Sequence, residues 1–268
     1  MFFHDFIPSP IIFTIGPLIF HWYGLLFGLA VAVAYFIARL RLKKRPIVFL
    51  DLDNLFFWLL LVGLIGARLV DVFYFEWWYF KDHWSAIPFF WQGGLAWQGG
   101  LIGGIAAAWL YSRIKKIKFV VVADLLAPSL AIGQAIGRWG NYFNQELFGQ
   151  PTNWPWGIPI VQQLRPEIYQ SFSYFHPVFF YEFIGLLIIG LFLLRCFKSK
   201  KTAGWLIAWY LLLSGLLRII LETIRLDEQS LWLGLRAGWW LAGLTTVIGL
   251  LWLLKLTWFK FLNKKEVN

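Results

Sequence analysis

Arginines, carboxylates and amides gather in two stretches of this chain whose spacing could build a polar site. In the first, Arg138 ends an apolar run and is followed by Asn141, Asn144 and Glu146. An arginine at the end of an apolar helix is often only a snorkelling anchor whose charge reaches the membrane interface. The polar residues that follow are more than an anchor needs, so we predict a functional polar site here.

The second stretch places Arg218, Glu222 and Arg225 at positions i, i+4 and i+7. Side chains at this spacing share one helix face, so Glu222 can reach both arginines. Arg218 lies inside an apolar run and would be costly facing lipid, so we expect it to face the interior of a helix bundle. The stretch is either a structural ion-pair network or an anion site. Arg68 is a similar case, and Asp71 is its expected partner one turn away.

Glycines dominate a third stretch, from Trp91 to Gly104, which contains three Gly-Gly pairs. Gly99 and Gly100 are each followed by another glycine four residues later, a spacing that lets helix backbones approach closely in lipid. Close packing alone would explain these pairs. Close packing does not explain Gln98, because an amide near a membrane span needs hydrogen-bond partners.

Two histidines, His21 and His176, lie near the ends of apolar runs. A lone histidine in such a place is more often a structural hydrogen-bonding group than a base, and both possibilities stay open. Cys196 is the only cysteine, so no internal disulfide can form. The sequence contains no Gly-x-Ser-x-Gly, Walker or His-Glu-x-x-His pattern, and we predict neither a metal site nor a cofactor.

The elements that must position these residues are membrane-spanning helices. Of the 268 residues, 60% are hydrophobic and only 14% are charged, whereas a soluble domain usually carries about 25% charged residues. Several apolar runs reach the roughly 20 residues that cross a bilayer. These properties exclude a soluble enzyme, a fibrous chain and a disordered chain. We predict an all-α polytopic membrane protein.

Apolar length and basic residues together predict seven transmembrane helices. The spans cover about 18–38, 52–73, 96–112, 119–138, 178–195, 203–222 and 239–258. Most of the 24 Lys and Arg residues follow alternate spans, in clusters at 39–45, 113–118, 195–201 and 255–265. Under the positive-inside rule these clusters are cytoplasmic, so the N-terminus lies outside and the C-terminus in the cytoplasm. The net charge of +10 therefore indicates topology and contact with membrane lipids, and no nucleic acid is expected as a partner.

The longest segment between spans, 141–177, lies on the outer side between spans four and five. It is rich in proline, glutamine and aromatic residues. Long ordered loops are where function tends to concentrate. We therefore interpret residues 1–268 as a single transmembrane domain in which 141–177 forms a small external cap.

The stretch from Arg138 to Gly149 resembles the signature of the prolipoprotein diacylglyceryl transferases, Gly-Arg-x-Gly-Asn-(Phe/Tyr)-x-Asn-x-Glu-x-x-Gly. The resemblance extends over nearly the whole chain. Further matching motifs are His21-Trp22-Tyr23-Gly24, Gly66-Ala67-Arg68, the glycine pattern from Gly93 to Gly103, His176-Pro177 with Tyr181-Glu182, and Arg218 to Arg225. The order and spacing of these motifs together are highly specific. The family's seven-span fold with an outer N-terminus agrees with the charge distribution.

The resemblance implies transfer of diacylglyceryl from phosphatidylglycerol to the lipobox cysteine of a prolipoprotein signal peptide, which yields a thioether and glycerol 1-phosphate. The site would face the outer leaflet of the bacterial cytoplasmic (inner) membrane. By motif position, the expected catalytic residues are Arg138, Arg218, Gln98 and Tyr23. The expected substrate-binding residues are Arg138, Asn141, Asn144, Glu146, Gly149, Glu222, Arg68, Gly99, Gly100, His21 and His176. Two guanidinium forks suit the reaction, because charge develops on phosphate oxygens.

Two positions depart from the family pattern. The family usually has His where this chain has Gln98, and Tyr where this chain has Ser214. The His is held to be essential, so a weak or inactive relative that binds phosphatidylglycerol or preproteins is the first alternative. A small-anion transporter that uses the intramembrane arginines is the second. The inner halves of the spans carry almost no charge, which disfavours a polar path across the membrane.

Overall fold

The computed structural model describes residues 2–16, 18–197, 202–226 and 231–265. The helices are α1 (Phe2–Asp5), α2 (Trp22–Lys44), α3 (Leu52–Val70), α4 (Trp77–Phe80), α5 (Trp97–Ile114), α6 (Phe119–Phe143), α7 (Val178–Cys196), α8 (Trp205–Glu222) and α9 (Ala237–Lys265). The strands are β1 (Ile11–Ile15), β2 (Leu18–His21), β3 (Ile158–Pro159), β4 (Tyr174–Phe175), β5 (Leu231–Trp232) and β6 (Leu235–Arg236). They pair as three antiparallel two-stranded sheets, β1-β2, β3-β4 and β5-β6. Residues 198–201 of the third basic cluster lie outside the described ranges.

Six helices of the described chain are long and apolar enough to cross a membrane: α2, α3 with its π-helical continuation Asp71–Phe75, α6, α7, α8 and α9. They confirm an all-α polytopic membrane protein. Large apolar side chains such as Phe27, Phe36 and Ile188 are more than half exposed on them, as contact with lipid requires. The predicted third span forms α5, which is not one of the six, so the count of seven stays a prediction. The outer position of the N-terminus also stays a prediction.

Two predicted boundaries near the polar residues are wrong. The first span is predicted to begin at residue 18, but Leu18–His21 is strand β2 and the helix begins at Trp22. Apolar length cannot reveal this, because the strand depends on pairing with β1. The fourth span is predicted to end at residue 138, but α6 continues to Phe143. Residues 141–143 therefore extend the helix, and the external cap itself stays a prediction.

The chain forms two compact units, residues 1–37 with 126–268 and residues 38–125. In the second unit α3 and α5 pack closely, because a Cβ on Gly66 would lie only 2.5 Å from the Gly99 carbonyl oxygen. The glycine spacing therefore serves helix packing, as the sequence indicates. The interpretation of the whole chain as one transmembrane domain stays a prediction.

A buried arginine in the second unit compensates for a proline in α6. Pro128 has no backbone N–H, so the Asp124 carbonyl one turn earlier lacks its helical donor. Arg41 donates to the carbonyls of Asp124 at 2.9 Å and Leu125 at 2.6 Å. The Arg41 side chain thus donates the hydrogen bond that the proline cannot, which explains why Arg41 is buried.

Two apolar clusters hold the ends of α6, α7 and α8 in place within the first unit. The cluster between the helices consists of Ala127, Ala131, Ile189, Leu193, Leu206 and Tyr210. The cluster around the end of α6 and the start of α7 consists of Tyr142, Leu147, Phe148, Ile158, Ile160, Phe175 and Phe179. Since one cluster lies along the helices and the other follows the end of α6, the polar residues between them are held from both sides.

Candidate functional site

The end of α6, the start of α7 and the C-terminal half of α8 meet at one carboxylate. Glu182 of α7 accepts a hydrogen bond from Arg138 Nη2 through its Oε1, at 2.8 Å. Arg218 Nη1, from α8, lies 3.6 Å from the same oxygen. The two arginines that the resemblance assigns to a phosphate therefore converge on one place.

A second carboxylate, Glu222, extends the cluster along α8. Its Oε2 lies 3.1 Å from Arg218 Nε and 3.7 Å from Arg225 Nη1. The expectation that Glu222 reaches both arginines is confirmed. Its Oε1 lies 3.5 Å from Arg236 Nη1, just before α9. Arg236 is a participant that the motif spacing along α8 could not include.

Guanidinium groups outnumber carboxylates in this cluster of described residues, because Glu182 is shared by two arginines and Glu222 by three. Glu182 and Glu222 are almost fully buried. The side chains of Arg138 and Arg218 are 24% and 25% exposed, so a ligand can reach them. Two accessible guanidiniums that share one buried carboxylate oxygen form a suitable site for an anion.

An amide relay connects Arg138 to a third carboxylate. Arg138 Nη1 donates to Asn141 Oδ1 at 3.3 Å, and Asn141 Nδ2 donates to Glu146 Oε2 at 2.9 Å. Asn144 Nδ2 donates to Glu146 Oε1 at 3.1 Å. The chain can return over the helix end because Gln145 takes a left-handed conformation, with φ of 56°. The polar residues predicted around Arg138 are therefore brought together.

Tyr23 joins these residues through a close approach to α6. A Cβ on Gly140 would lie 2.7 Å from the Tyr23 ring carbon Cδ2, so only glycine leaves room for the ring. The Tyr23 hydroxyl lies within electrostatic reach of Glu146 and Arg138. The structure thus brings the predicted Tyr23 to the site. It also explains why position 140 is a glycine, which the sequence alone does not.

Glu182 itself is the main residue that the sequence-based prediction missed. In the sequence it stands out only as part of a matching motif, and in the structure it is 5% exposed near the start of an apolar helix. A buried carboxylate in such a helix is costly unless it is paired. A glutamate in an apolar helix is therefore the sequence signal that could have revealed this residue, because it indicates a partner on another helix.

Tyr210 is a second missed residue, one turn before Ser214 on the same face of α8. The Tyr210 hydroxyl donates to Gln134 Oε1 at 2.8 Å and lies within electrostatic reach of Arg138 and Glu182. The Ser214 hydroxyl donates to the Tyr210 carbonyl at 2.6 Å and so serves its own helix. A phenol therefore lies near the cluster, but it belongs to Tyr210 and not to position 214, where the family has its Tyr.

Gly149 links the segment between α6 and α7 to the residues that follow α8. Its backbone N–H donates to the His176 carbonyl at 2.8 Å, and it forms a β-bridge with Arg225. A Cβ on Gly149 would lie 3.1 Å from the His176 Cβ, so a side chain is poorly tolerated. These contacts support a positioning role, and the predicted contact of Gly149 with substrate stays a prediction.

The two histidines lie in different surroundings. His176 Nδ1 lies 3.0 Å from the Tyr181 hydroxyl, which also accepts a hydrogen bond from Trp156 Nε1 at 2.9 Å. Burial lowers the pKa of His176 below its ordinary value, which favours the neutral ring at pH 7. His21 ends strand β2 opposite Ile11 and is exposed. Substrate binding by either histidine stays a prediction.

Arg68, in the second unit, is occupied by backbone oxygens. Its guanidinium donates to the carbonyls of Ala86, Ile87, Gly93 and Gly94 at 2.8–3.0 Å. Asp71, the expected partner, lies 3.4 Å away, which confirms that pairing. An arginine with these partners closes the loop before α5, and its predicted contact with substrate stays a prediction.

Gln98, Gly99 and Gly100 occupy the first turn of α5 in the same unit. Gly99 packs against the Gly66 carbonyl, and a Cβ on Gly100 would make ordinary contact with the Ala67 Cβ at 3.7 Å. Gln98 is half-buried. The packing of the two glycines is confirmed, whereas a role of any of the three in catalysis or substrate binding stays a prediction.

The fold and the site together define the class: an α-helical polytopic membrane protein with a cluster of accessible guanidiniums held by buried, shared carboxylates. Within the described ranges, no group of three His, Cys, Asp or Glu side chains could hold a metal ion. Residues 10–255 match the family model described as prolipoprotein diacylglyceryl transferase. The chain belongs to the prolipoprotein diacylglyceryl transferase family, as its motifs predict.

Similar proteins from several bacteria carry the name phosphatidylglycerol–prolipoprotein diacylglyceryl transferase. The one from Acaryochloris marina is 39% identical over 261 residues, which cover 96% of this chain and 93% of the relative. The one from Trichormus variabilis is 40% identical over 230 residues, covering 84% and 81%. The one from Thermotoga maritima is 40% identical over 223 residues, covering 82% and 75%. Identity at this level over most of both chains extends the similarity well beyond the motifs.

Proposed function

We propose that this chain transfers the diacylglyceryl group of phosphatidylglycerol to the thiol of the lipobox cysteine in prolipoprotein signal peptides. The names of the relatives state this lipid and this class of protein. The observation that carries the proposal is the convergence of Arg138 and Arg218 on the Glu182 carboxylate. The reaction is the first step of lipoprotein lipidation, at a site toward the outer leaflet of the bacterial cytoplasmic membrane.

In this reaction the sulfur attacks the glyceryl carbon that carries the phosphate. The S–C bond forms while the C–O bond breaks, and the electron pair of that bond leaves with the phosphate oxygen. The glycerol phosphate that departs carries one more negative charge than the phosphodiester did. Donors that already point at these oxygens lower the barrier, because they stabilise the charge where it develops.

Arg138 and Arg218 are the groups that bind the phosphate in this mechanism. Each presents a planar fork of N–H donors, and together they can contact several phosphate oxygens at once. Glu182 and Glu222 hold the forks in position, since each carboxylate contacts Arg218 and Glu182 also contacts Arg138. Asn141 ties Arg138 to Glu146 on the other side.

Removal of the thiol proton does not require the His that this chain lacks. A free thiol has a pKa near 8.5, so forming the thiolate at pH 7 costs only about 2 kcal/mol. A general base typically contributes roughly 10²–10⁴-fold, so its loss slows the reaction without abolishing it. The proton passes to solvent or to a histidine of the first unit, His21 or His176. Gln98, which the resemblance assigns to catalysis, carries an amide that can donate a hydrogen bond but cannot act as a base.

The test is mass spectrometry of a synthetic lipobox peptide after incubation with the purified protein and phosphatidylglycerol. The expected product is the peptide with one diacylglyceryl group in thioether linkage, together with free glycerol phosphate. A peptide with Ser in place of the lipobox Cys is the matched control and should stay unmodified. Binding of phosphatidylglycerol without any product, in both the wild type and the Gln98→His variant, would instead identify an inactive relative.

A further inference from the structure

One oxygen of the central carboxylate remains unused. Glu182 is 5% exposed, and its Oε1 contacts both Arg138 and Arg218. Its Oε2 is fully buried, and no hydrogen-bond donor among the described residues reaches it. The two carboxylate oxygens of Glu182 therefore differ: one orients the guanidiniums, and the other is buried without a donor.

A buried carboxylate oxygen without a donor is costly, and native proteins rarely leave one in that state. The neighbouring carboxylate provides the contrast. Both oxygens of Glu222 are engaged, Oε2 by Arg218 and Arg225 and Oε1 by Arg236. Glu182 is thus the carboxylate of this cluster whose remaining acceptor a ligand can satisfy.

The chemistry of Oε2 selects which part of a lipid headgroup can approach it. Phosphate oxygens are acceptors and carry negative charge, so the Glu182 carboxylate repels them and the guanidiniums attract them. The group beside Oε2 must be a hydrogen-bond donor. An ammonium headgroup would bring positive charge next to Arg138 and Arg218, which disfavours it. A neutral hydroxyl meets both requirements.

We propose that Glu182 recognises the headgroup of the lipid donor: its Oε2 accepts a hydrogen bond from a hydroxyl of the terminal glycerol, while its Oε1 holds Arg138 and Arg218 on the phosphate. The inference rests on the proposed function and adds the residue that selects the donor. The phosphate provides the anchor, and the hydroxyl distinguishes phosphatidylglycerol from phosphodiester lipids of equal charge that lack this group.

The experiment compares phosphatidylglycerol with phosphatidylethanol, which carries the same phosphodiester charge and no hydroxyl. The readout is the ratio of kcat/KM for transfer to one lipobox peptide from the two lipids, with matched acyl chains. The wild type should prefer phosphatidylglycerol by roughly 10- to 100-fold, because a buried charged acceptor left without its donor penalises the analogue. Glu182→Gln should reduce this ratio at least fivefold, because a neutral amide is a weaker partner for the hydroxyl.

Glu222→Gln is the matched control. It also removes a carboxylate from Arg218, so it should slow transfer from both lipids while the ratio stays at the wild-type value. A ratio near one in the wild type would overturn the inference. An equal loss with both lipids in Glu182→Gln and Glu222→Gln would do the same, since it would show that Glu182 only orients the arginines.

Two further outcomes remain distinguishable. If Glu182→Gln does not fold, Glu182→Asp keeps the charge but withdraws Oε2, and the same reduction of the ratio is expected. If the wild type forms no thioether from phosphatidylglycerol, the proposed function itself has failed. If it forms the thioether without preferring phosphatidylglycerol, only the headgroup assignment has failed.

Discussion

Arg68 in the second unit and Arg138 in the first look alike in the sequence, since each is an arginine near the end of an apolar helix. The structure gives them different partners. Arg68 donates to four backbone carbonyls and lies beside Asp71, and its side chain is 12% exposed. Arg138 shares a carboxylate oxygen with Arg218, and its side chain is twice as exposed, at 24%.

We propose that this difference separates an arginine that stabilises structure from one that binds an anion. Four backbone carbonyls accept the hydrogen bonds of the Arg68 guanidinium, so this side chain stabilises the loop that carries them. A carboxylate shared by two guanidiniums leaves each of them able to accept another anion. The charge is the same in the two cases, and the partners and the exposed fraction separate them.

The largest expected effect is on Arg138 and Arg218, the two arginines that we propose bind the phosphate. Arg138→Lys and Arg218→Lys keep the charge but lose the planar fork, so kcat/KM for lipobox-peptide transfer should fall by roughly 100-fold or more. The thermal unfolding temperature in detergent should change little. Arg113→Lys, on an exposed position of α5, is the control and should retain wild-type kcat/KM. Near-normal transfer by both site variants would show that neither arginine binds the phosphate.

Arg68→Lys should give the opposite pattern. A lysine cannot reach all four carbonyls, so the free energy of unfolding should fall by about 3 kcal/mol. The transfer rate per folded molecule should stay within a few-fold of the wild type. The unfolding temperature and the rate are measured on the same preparation. A large loss of rate at unchanged stability would instead assign Arg68 to the substrate.

A smaller effect is expected where α6 meets Tyr23. Gly140→Ala places a methyl group against the Tyr23 ring, so it should displace the ring and lower kcat/KM about tenfold, since a misplacement of this size weakens alignment in the site. Gly137→Ala is the matched control, because a Cβ there has open space within 4 Å. That variant should match the wild type in rate and gain slightly in stability from helix propensity. Equal rates for the two variants would exclude Tyr23 from the site.

The smallest effect concerns Gln98. In the wild type, the transfer rate should rise with pH until the substrate thiol has titrated, near its ordinary pKa of about 8.5. Gln98→His should raise the rate several-fold near pH 7 and flatten this dependence, because a base with a pKa of about 6.5 then assists the thiol. A pH–rate profile of each protein with the same peptide measures the effect. Superimposable profiles would place Gln98 away from the thiol.

Much of the site was predictable because local spacing defines it. The positions of Arg218, Glu222 and Arg225 on one helix face follow from a period of 3.6 residues, and the structure confirms their contacts. The pairing of Arg68 with Asp71 follows from the same rule. In contrast, the start of the first span at residue 18 was wrong, because strand β2 forms by pairing with a separate segment.

The sequence by itself determined the membrane-spanning class, the family and most of the polar residues, since hydrophobic length, charge clusters and motif spacing are properties of neighbouring residues. Only the tertiary structure decided which arginines share a carboxylate and which are satisfied by carbonyls. It joined Arg138 to Arg218 through Glu182, which lies on a third helix. Contacts between residues 36 or more positions apart depend on how helices pack, and no local pattern encodes the partner that a buried charge finds.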